Sequence, residues 1–168
     1  MRCIAVVGMN GAGKTTFGKR LAGKLGMKRF DTDRAFEEKH GDHHQFIGKH
    51  GWDRYRSEEE RIVLDALMPG FVVILSGGAI ESSAVRSALK EHAIVIWLQA
   101  GSKRIHKHLQ RAKVARPEFA AGLHRGKVDE LTEARNPHYE DVADIAVAPS
   151  VPFSGQIPFA LKELEKLG

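Results

Sequence analysis

Three short apolar runs punctuate an otherwise amphipathic chain. Cys3 to Val7, Phe71 to Leu75 and Ala93 to Leu98 are rich in β-branched residues and do not alternate with polar ones, the pattern of strands covered on both faces. Between them, apolar residues recur at helical spacing. Phe17, Leu21 and Leu25 form a stripe within Lys14 to Leu25, with Gly26 as a stop. Glu58 to Met68, ended by Pro69-Gly70, and Ser82 to Lys90 read as further helices. Beyond them the pattern predicts helices over Ser102 to Gln110, Lys127 to Arg135 and Phe159 to Leu167, and a short strand over Asp144 to Val147. Lys28 to Asp31 is a poor strand by composition but sits where the alternation requires one. Strands and helices in alternation predict an α/β fold, a parallel sheet with helices on both faces. Two stretches escape the alternation, His40 to Arg56 and Arg111 to Gly126. Ligands of such sheets bind outside the carboxyl ends of the strands, so these stretches are the candidates for substrate-binding and lid elements.

Length and composition narrow the picture. The chain has 168 residues, one domain's worth, with no repeat, low-complexity tract or Pro/Ser-rich linker. Its apolar runs fall far short of the roughly 20 residues of a membrane helix. The opening Met1 to Val7 is cut off by Asn10, Gly11 and Lys14 before it resembles a secretory leader, so a cytoplasmic protein is expected. One cysteine, Cys3, excludes an intrachain disulfide and a cysteine-based zinc site; its place in the first strand suits a small buried hydrophobe. His40, His43, His44 and His50 match no zinc spacing and are read as solvated or substrate-facing, with metal binding as the alternative. His106 and His108, two apart on a helix, point to different sides and cannot share a ligand.

The net charge of +5 is unevenly placed. Lys103 to Lys127 carries +7, with Glu118 as its single acid, and the remainder of the chain carries −2. Nucleic acid is one partner for such a stretch, but only Phe119 offers a stacking surface within it. A small phosphorylated ligand fits better.

Gly8-Met9-Asn10-Gly11-Ala12-Gly13-Lys14-Thr15 satisfies the phosphate-loop pattern G-x-x-x-x-G-K-[ST] at every fixed position, between a strand and a helix as that loop requires. Glycines let backbone amides turn toward phosphate oxygens, and the first turn of the helix adds unpaired N–H donors. Lys14 would reach the β and γ phosphates, and Thr15 would hold Mg²⁺. Phe71 to Leu75 ends in Ser76-Gly77-Gly78-Ala79 without an acid, and no Asn-Lys-x-Asp occurs, which points away from motor-type ATPases and GTPases. The acids instead stand at Asp31-Thr32-Asp33, on the ligand edge. One would hold Mg²⁺ through water and the other would take a proton from a substrate hydroxyl, the two carboxylate tasks of phosphoryl transfer.

The phosphate loop, Asp31-Thr32-Asp33, Arg56 with Glu59, Gly77-Gly78, Arg116-Pro117, and Arg135-Asn136-Pro137-His138-Tyr139 before Val142-Ala143-Asp144 stand in the order and spacing of shikimate kinases. The resemblance covers nearly the whole chain. It implies a nucleoside-monophosphate-kinase-like P-loop fold, three layers around a five-stranded parallel sheet. That fold carries a substrate-binding insert, residues 32–60, and a lid, residues 110–126, within a single domain, 1–168. It further implies transfer of the γ-phosphate of MgATP to the 3-hydroxyl of shikimate; a monomer with no nucleic-acid or membrane partner is expected.

Carried across by position, the resemblance makes Lys14, Asp33 and Arg116 catalytic, Asp33 as the base. It gives ATP to Gly11, Ala12, Gly13, Lys14, Thr15, Thr16, Arg111 and Arg116, with Arg111 stacking on adenine. Asp33, Arg56, Gly77, Gly78 and Arg135 would bind shikimate, the two arginines clamping its carboxylate, and Thr15 with Asp31 (through water) would hold Mg²⁺. Taken alone, Arg56 with Glu59 reads equally as a surface ion pair, and Gly77-Gly78 as a plain turn. Ala79 stands for the family's third glycine, Glu118-Phe119 for two leucines, Asp42 to Ile47 for a more apolar segment and Tyr55 for phenylalanine. Two other readings remain open: a related P-loop kinase for another small hydroxy acid or metabolite, and a nucleotide-binding regulatory module.

Overall fold

Cys3–Val7 (β1) is the middle strand of a wholly parallel five-stranded sheet, order β2-β3-β1-β4-β5, with Lys28–Asp31 (β2), Phe71–Ile74 (β3), Ala93–Leu98 (β4) and Ile145–Val147 (β5). The computed structural model describes residues 2–112, 116–119 and 122–168. Successive β1 side chains enter opposite cores, as pleating demands. Ile4 and Val6 pack under Lys14–Leu25 (α1), which contributes Phe17 and Leu21. Cys3, Ala5 and Val7 pack against Val63 and Ala66 from the far side of the sheet. The cover on that side comes from Trp52–Ala66 (α4), Ser83–His92 (α5), Ser102–Arg111 (α6) and Arg125–Val142 (α7), while Phe153–Leu167 (α8) joins α1 on the first face.

After β1 the chain crosses β3 to reach β2, and after β3 it returns across β1 to β4. The connections part between the carboxyl ends of β1 and β3, which opens a crevice there, the usual ligand position of such sheets.

Both irregular stretches hold structure that hydrophobic spacing did not reveal. Residues 32–50 form two helices, Thr32–His40 (α2) and His43–His50 (α3), and α4 starts at Trp52 rather than Glu58. Asp31 and Asp42 cap them, accepting from Asp33 N (3.1 Å) and Gln45 N (2.9 Å). Their apolar sides face a small separate core of Phe36, Phe46, Tyr55 and Ile62. That core is aromatic and histidine-rich, so no aliphatic stripe announces it. His43 stacks on Phe36 with ring centroids 4.7 Å apart, and His40 meets the Glu58 carboxylate at 3.0 Å. These two histidines are packing and hydrogen-bonding groups of the insert, not solvated ones.

The second stretch contains a 3-10 turn, Pro117–Phe119; residues 113–115, 120 and 121 of the expected lid lie outside the described residues. α7 runs on through Pro137 to Val142, past the expected end at Arg135. Val128, Arg135, Tyr139 and Val142 form its buried face, and that packing outweighs the hydrogen bond that Pro137 cannot donate. Among the described residues no helix is long and apolar enough to cross a membrane.

Phe17 is 1% exposed and ties α1 to the sheet. Phe17→Ala is expected to lower unfolding stability in urea by about 3–5 kcal/mol; a loss below ~1 kcal/mol would contradict this packing.

Candidate active site

The loop after β1 is shaped before any ligand arrives. A Cβ on Gly8 would lie 2.6 Å from the Leu98 carbonyl oxygen, so only glycine passes there. Gly13, at φ 93°, starts α1 without a side-chain cap, leaving the first-turn N–H groups free for an anion. Lys14 is buried, and its Nζ donates to Gly8 O (2.8 Å) and Met9 O (2.9 Å), carbonyls of its own loop. Burial pushes its ammonium down to about 8; nearby Asp33 pulls it up, and Arg116 and Arg135 press it further down. An ammonium so placed gains strongly from an arriving phosphate.

Asp31 divides its carboxylate between two tasks. Oδ1 caps α2, and Oδ2 accepts from Thr15 Oγ1 at 3.2 Å. A hydroxyl and a carboxylate side by side at the phosphate loop fit Mg²⁺, which takes few protein oxygens and completes its shell from water and phosphate. Thr16 is exposed beside Thr15, and Gly11 is held from α6, where His108 Nδ1 donates to its carbonyl at 2.8 Å. Ala12 is buried, its N–H bonded to Met9 O. Arg111 ends α6 and is exposed.

Across the crevice, Asp33 Oδ2 accepts from Arg116 Nη1 at 2.8 Å. These two groups share a cavity of about 160 Å³ with Lys14, Thr15, Asp31 and Gly77. A neighbouring cavity of about 390 Å³ is lined by Arg56, Glu59, Gly78 and Glu81. Arg56 Nη1 donates to Glu59 Oε1 at 2.8 Å, and Glu59 Oε2 accepts from Ser76 Oγ at 2.7 Å. Burial weakens the Arg56 cation, yet Glu59, Glu118 and Glu81 together hold it above its ordinary pKa. Burial lifts the Glu59 carboxyl above its usual range, against the pull of Arg56 and Ser76.

Arg135 is wholly buried on α7 and donates to Asn10 Oδ1 of the phosphate loop at 3.1 Å. Gly77 and Gly78 are needed by these partners: a Cβ on Gly77 would run into the Asn10 amide, and one on Gly78 into the Arg56 guanidinium. Tyr139, one turn beyond Arg135, donates to Gly77 O at 2.7 Å.

Of the residues expected to act, Gly11, Gly13, Lys14, Thr15, Thr16, Asp31, Asp33, Gly77 and Arg116 line one cavity, Arg56 and Gly78 line its neighbour, and Arg135 joins them through Asn10; Arg111, at the exposed end of α6, is not among them. Arg56 is no ordinary surface pair. Sequence reading missed Asn10, Glu81, His108 and Tyr139 as supports, because Asn10 and Tyr139 stand at motif positions with no role of their own in the pattern and all four act through tertiary contact. Ala79, standing for a third glycine, packs into the main core.

The model of the shikimate kinase family matches residues 10–152. The chain belongs to the shikimate kinase family. A shikimate kinase of Haemophilus influenzae is 36% identical over 148 residues, 87% of this chain and 82% of that one. One of Mannheimia succiniciproducens is 38% identical over 150 residues, 87% of this chain and 85% of its own. Among solved structures, shikimate kinase from Acinetobacter baumannii in complex with shikimate superposes with a TM-score of 0.87 at 28% identity, covering 99% of this chain and 93% of that one. A gluconokinase from Sinorhizobium meliloti, 19% identical with a TM-score of 0.69, shares the fold. The family is one of ATP-dependent kinases.

The depressed Lys14 gives a proton signature to nucleotide binding. Polyphosphate raises its pKa, so at pH 8.5, above that lowered value, ATP binding should take up part of a proton. Titration calorimetry in buffers of different ionisation enthalpy should show that uptake, absent at pH 6.5 and in Lys14→Met. Zero uptake at pH 8.5 in the wild type would contradict the buried ammonium.

Proposed function

We propose that this protein transfers the γ-phosphoryl group of MgATP to the 3-hydroxyl of shikimate. The observation that carries the reading is the meeting, in one crevice, of a phosphate loop, a carboxylate at its rim and two guanidiniums beyond it. Each part has a chemical task. First-turn amides of α1, with Gly11 and Gly13, cradle the β and γ phosphates, Ala12 holds the loop's shape through its N–H to Met9 O, and Thr16 and Arg111 face the rest of the nucleotide. Lys14 leaves the loop carbonyls for phosphate oxygens. Thr15, and Asp31 through water, hold Mg²⁺, which when bound neutralises phosphate charge.

On the acceptor side, Arg56 and Arg135 take the carboxylate of shikimate, planar forks against a planar acid. Asp33 accepts the 3-hydroxyl proton as that oxygen attacks phosphorus; the bond from phosphorus to the bridging oxygen breaks, and ADP leaves with the electron pair. Arg116 is 2.8 Å from Asp33, within reach of the transferring group, and adds positive charge where the transition state needs it. Residues 32–60 serve as the acceptor-binding insert and 110–126 as the lid of a single domain. A cytoplasmic setting suits the need for ATP and the lone thiol of Cys3.

ADP release measured with MgATP, alone and with shikimate, tests the reading, with Lys14→Met as background. Saturable stimulation with a phosphorylated shikimate product is expected. ATP turnover indifferent to shikimate would overturn the acceptor and direct the search to other small hydroxy acids.

Asp33→Asn should lower kcat by about 10²-fold or more with ATP affinity nearly unchanged. Near-normal turnover would remove Asp33 from the mechanism. Arg135→Ala should weaken acceptor binding; an unchanged shikimate KM would refute the clamp.

A further inference from the structure

The two arginines assigned to the acceptor's carboxylate already hold carboxylates. Glu118 Oε1 lies 3.3 Å from Arg135 Nη2 and 3.7 Å from Arg56 Nη2. Glu81 Oε2 bridges the same two nitrogens at 3.4 Å and 3.3 Å. The two acids are not equivalent. The Glu81 side chain is 41% exposed, whereas that of Glu118 is 9% exposed and sits beside an Arg135 side chain that is 1% exposed. With Glu59 also on Arg56, three carboxylates surround two guanidiniums. A fourth carboxylate meets like charge there and finds Arg135 covered.

The fit is also incomplete. Arg135 Nε is buried and has no hydrogen-bond partner, and its contacts to both acids are long for charge-assisted bonds. The guanidinium is neutralised but not matched as a fork, so a better-placed carboxylate can replace what is there. Glu118 belongs to the short turn whose Arg116 pairs with Asp33, and Phe119 anchors that turn in the main core. One four-residue segment therefore sets opposite charges on both parts of the acceptor site, a cation on the base and an anion on the clamp.

We infer that Glu118 is an internal competitor of the acceptor's carboxylate: it occupies the Arg56–Arg135 site when no acceptor is bound and must leave when one binds. This rests on the acceptor reading above and deepens it. Glu118 does not line the nucleotide cavity, and its contacts are to the two clamp arginines, so it acts first on acceptor affinity; its charge also supports the Arg116 cation. It also sharpens selection, because only an acid that engages both forks displaces it, whereas a neutral polyol gains nothing to offset the broken pairs.

Steady-state kinetics on the wild type, Glu118→Gln and Glu118→Leu provide the test. Glutamine keeps the size and removes the charge, and leucine removes the polar contact altogether. In both variants, with Glu81 left to neutralise Arg135, KM for shikimate is expected to fall about fivefold or more, well beyond any change in KM for ATP. Calorimetry without nucleotide should show the same gain in shikimate affinity. A shikimate KM that stays level or rises means that Glu118 organises the arginines rather than competing for them, and overturns the inference. So does a parallel shift in both KM values, which marks a general disturbance. If wild type and variants all fail to phosphorylate shikimate, the acceptor reading falls, and this inference with it; activity appearing only in the variants supports the competition.

Discussion

A guanidinium with no exposed surface must be neutralised where it stands, and Arg135 imposes that requirement on the whole ligand edge of the sheet. Desolvation makes an unpaired buried charge untenable, and stripping one partner from a buried pair typically costs about 3–5 kcal/mol. Arg135 therefore binds together elements far apart in sequence: Asn10 from the loop after β1, Glu81 from the turn after β3, and Glu118 from the turn before α7. The glycines at 77 and 78 follow from this arrangement, since side chains there would occupy the space of Asn10 and Arg56. So does the persistence of α7 past Pro137, for the helix is fixed by the burial of Arg135 and Tyr139 on one side of it.

The same crowding prepares the site for phosphoryl transfer. Lys14, Arg56, Arg116 and Arg135 converge on a small volume, each matched by a backbone carbonyl or a carboxylate: Lys14 on its own loop, Arg116 on Asp33, Arg56 on Glu59, Arg135 on Glu81 and Glu118. ATP and an acidic acceptor bring negative charge that competes for those cations. Binding is then an exchange of internal partners for external ones, which avoids exposing bare charge at any stage. Differences between ligands are decided by how well each replaces the partner it displaces.

Much of this was legible in the chain. The phosphate loop is a local device whose glycines and lysine must be contiguous, so Gly8 to Thr15 could be read directly, and the apolar β1, β3 and β4 declared a sheet buried on both faces. Lys28 to Asp31 was placed by alternation alone and is the edge strand β2. What stayed hidden depends on contacts between distant residues. α2 and α3 face an aromatic satellite core with no aliphatic stripe, and the boundary rule for proline was overridden at Pro137 by burial. Asn10, Glu81 and Tyr139 acquire their roles only when folding brings them to Arg135 and Gly77. Glu118 did leave a trace, as the single acid in a stretch of eight cations, but its partners Arg56 and Arg135 were not evident from that position.

The central claim is that Arg56 and Arg135 form the acceptor's carboxylate site and exchange Glu118 for the ligand. A crystal structure of the protein with shikimate and ADP addresses it most directly. The account predicts the shikimate carboxylate within hydrogen-bond distance of both guanidiniums, with the Glu118 carboxylate withdrawn from them and the 3-hydroxyl facing Asp33. Shikimate bound elsewhere, with Glu118 still bridging Arg56 and Arg135, would contradict it.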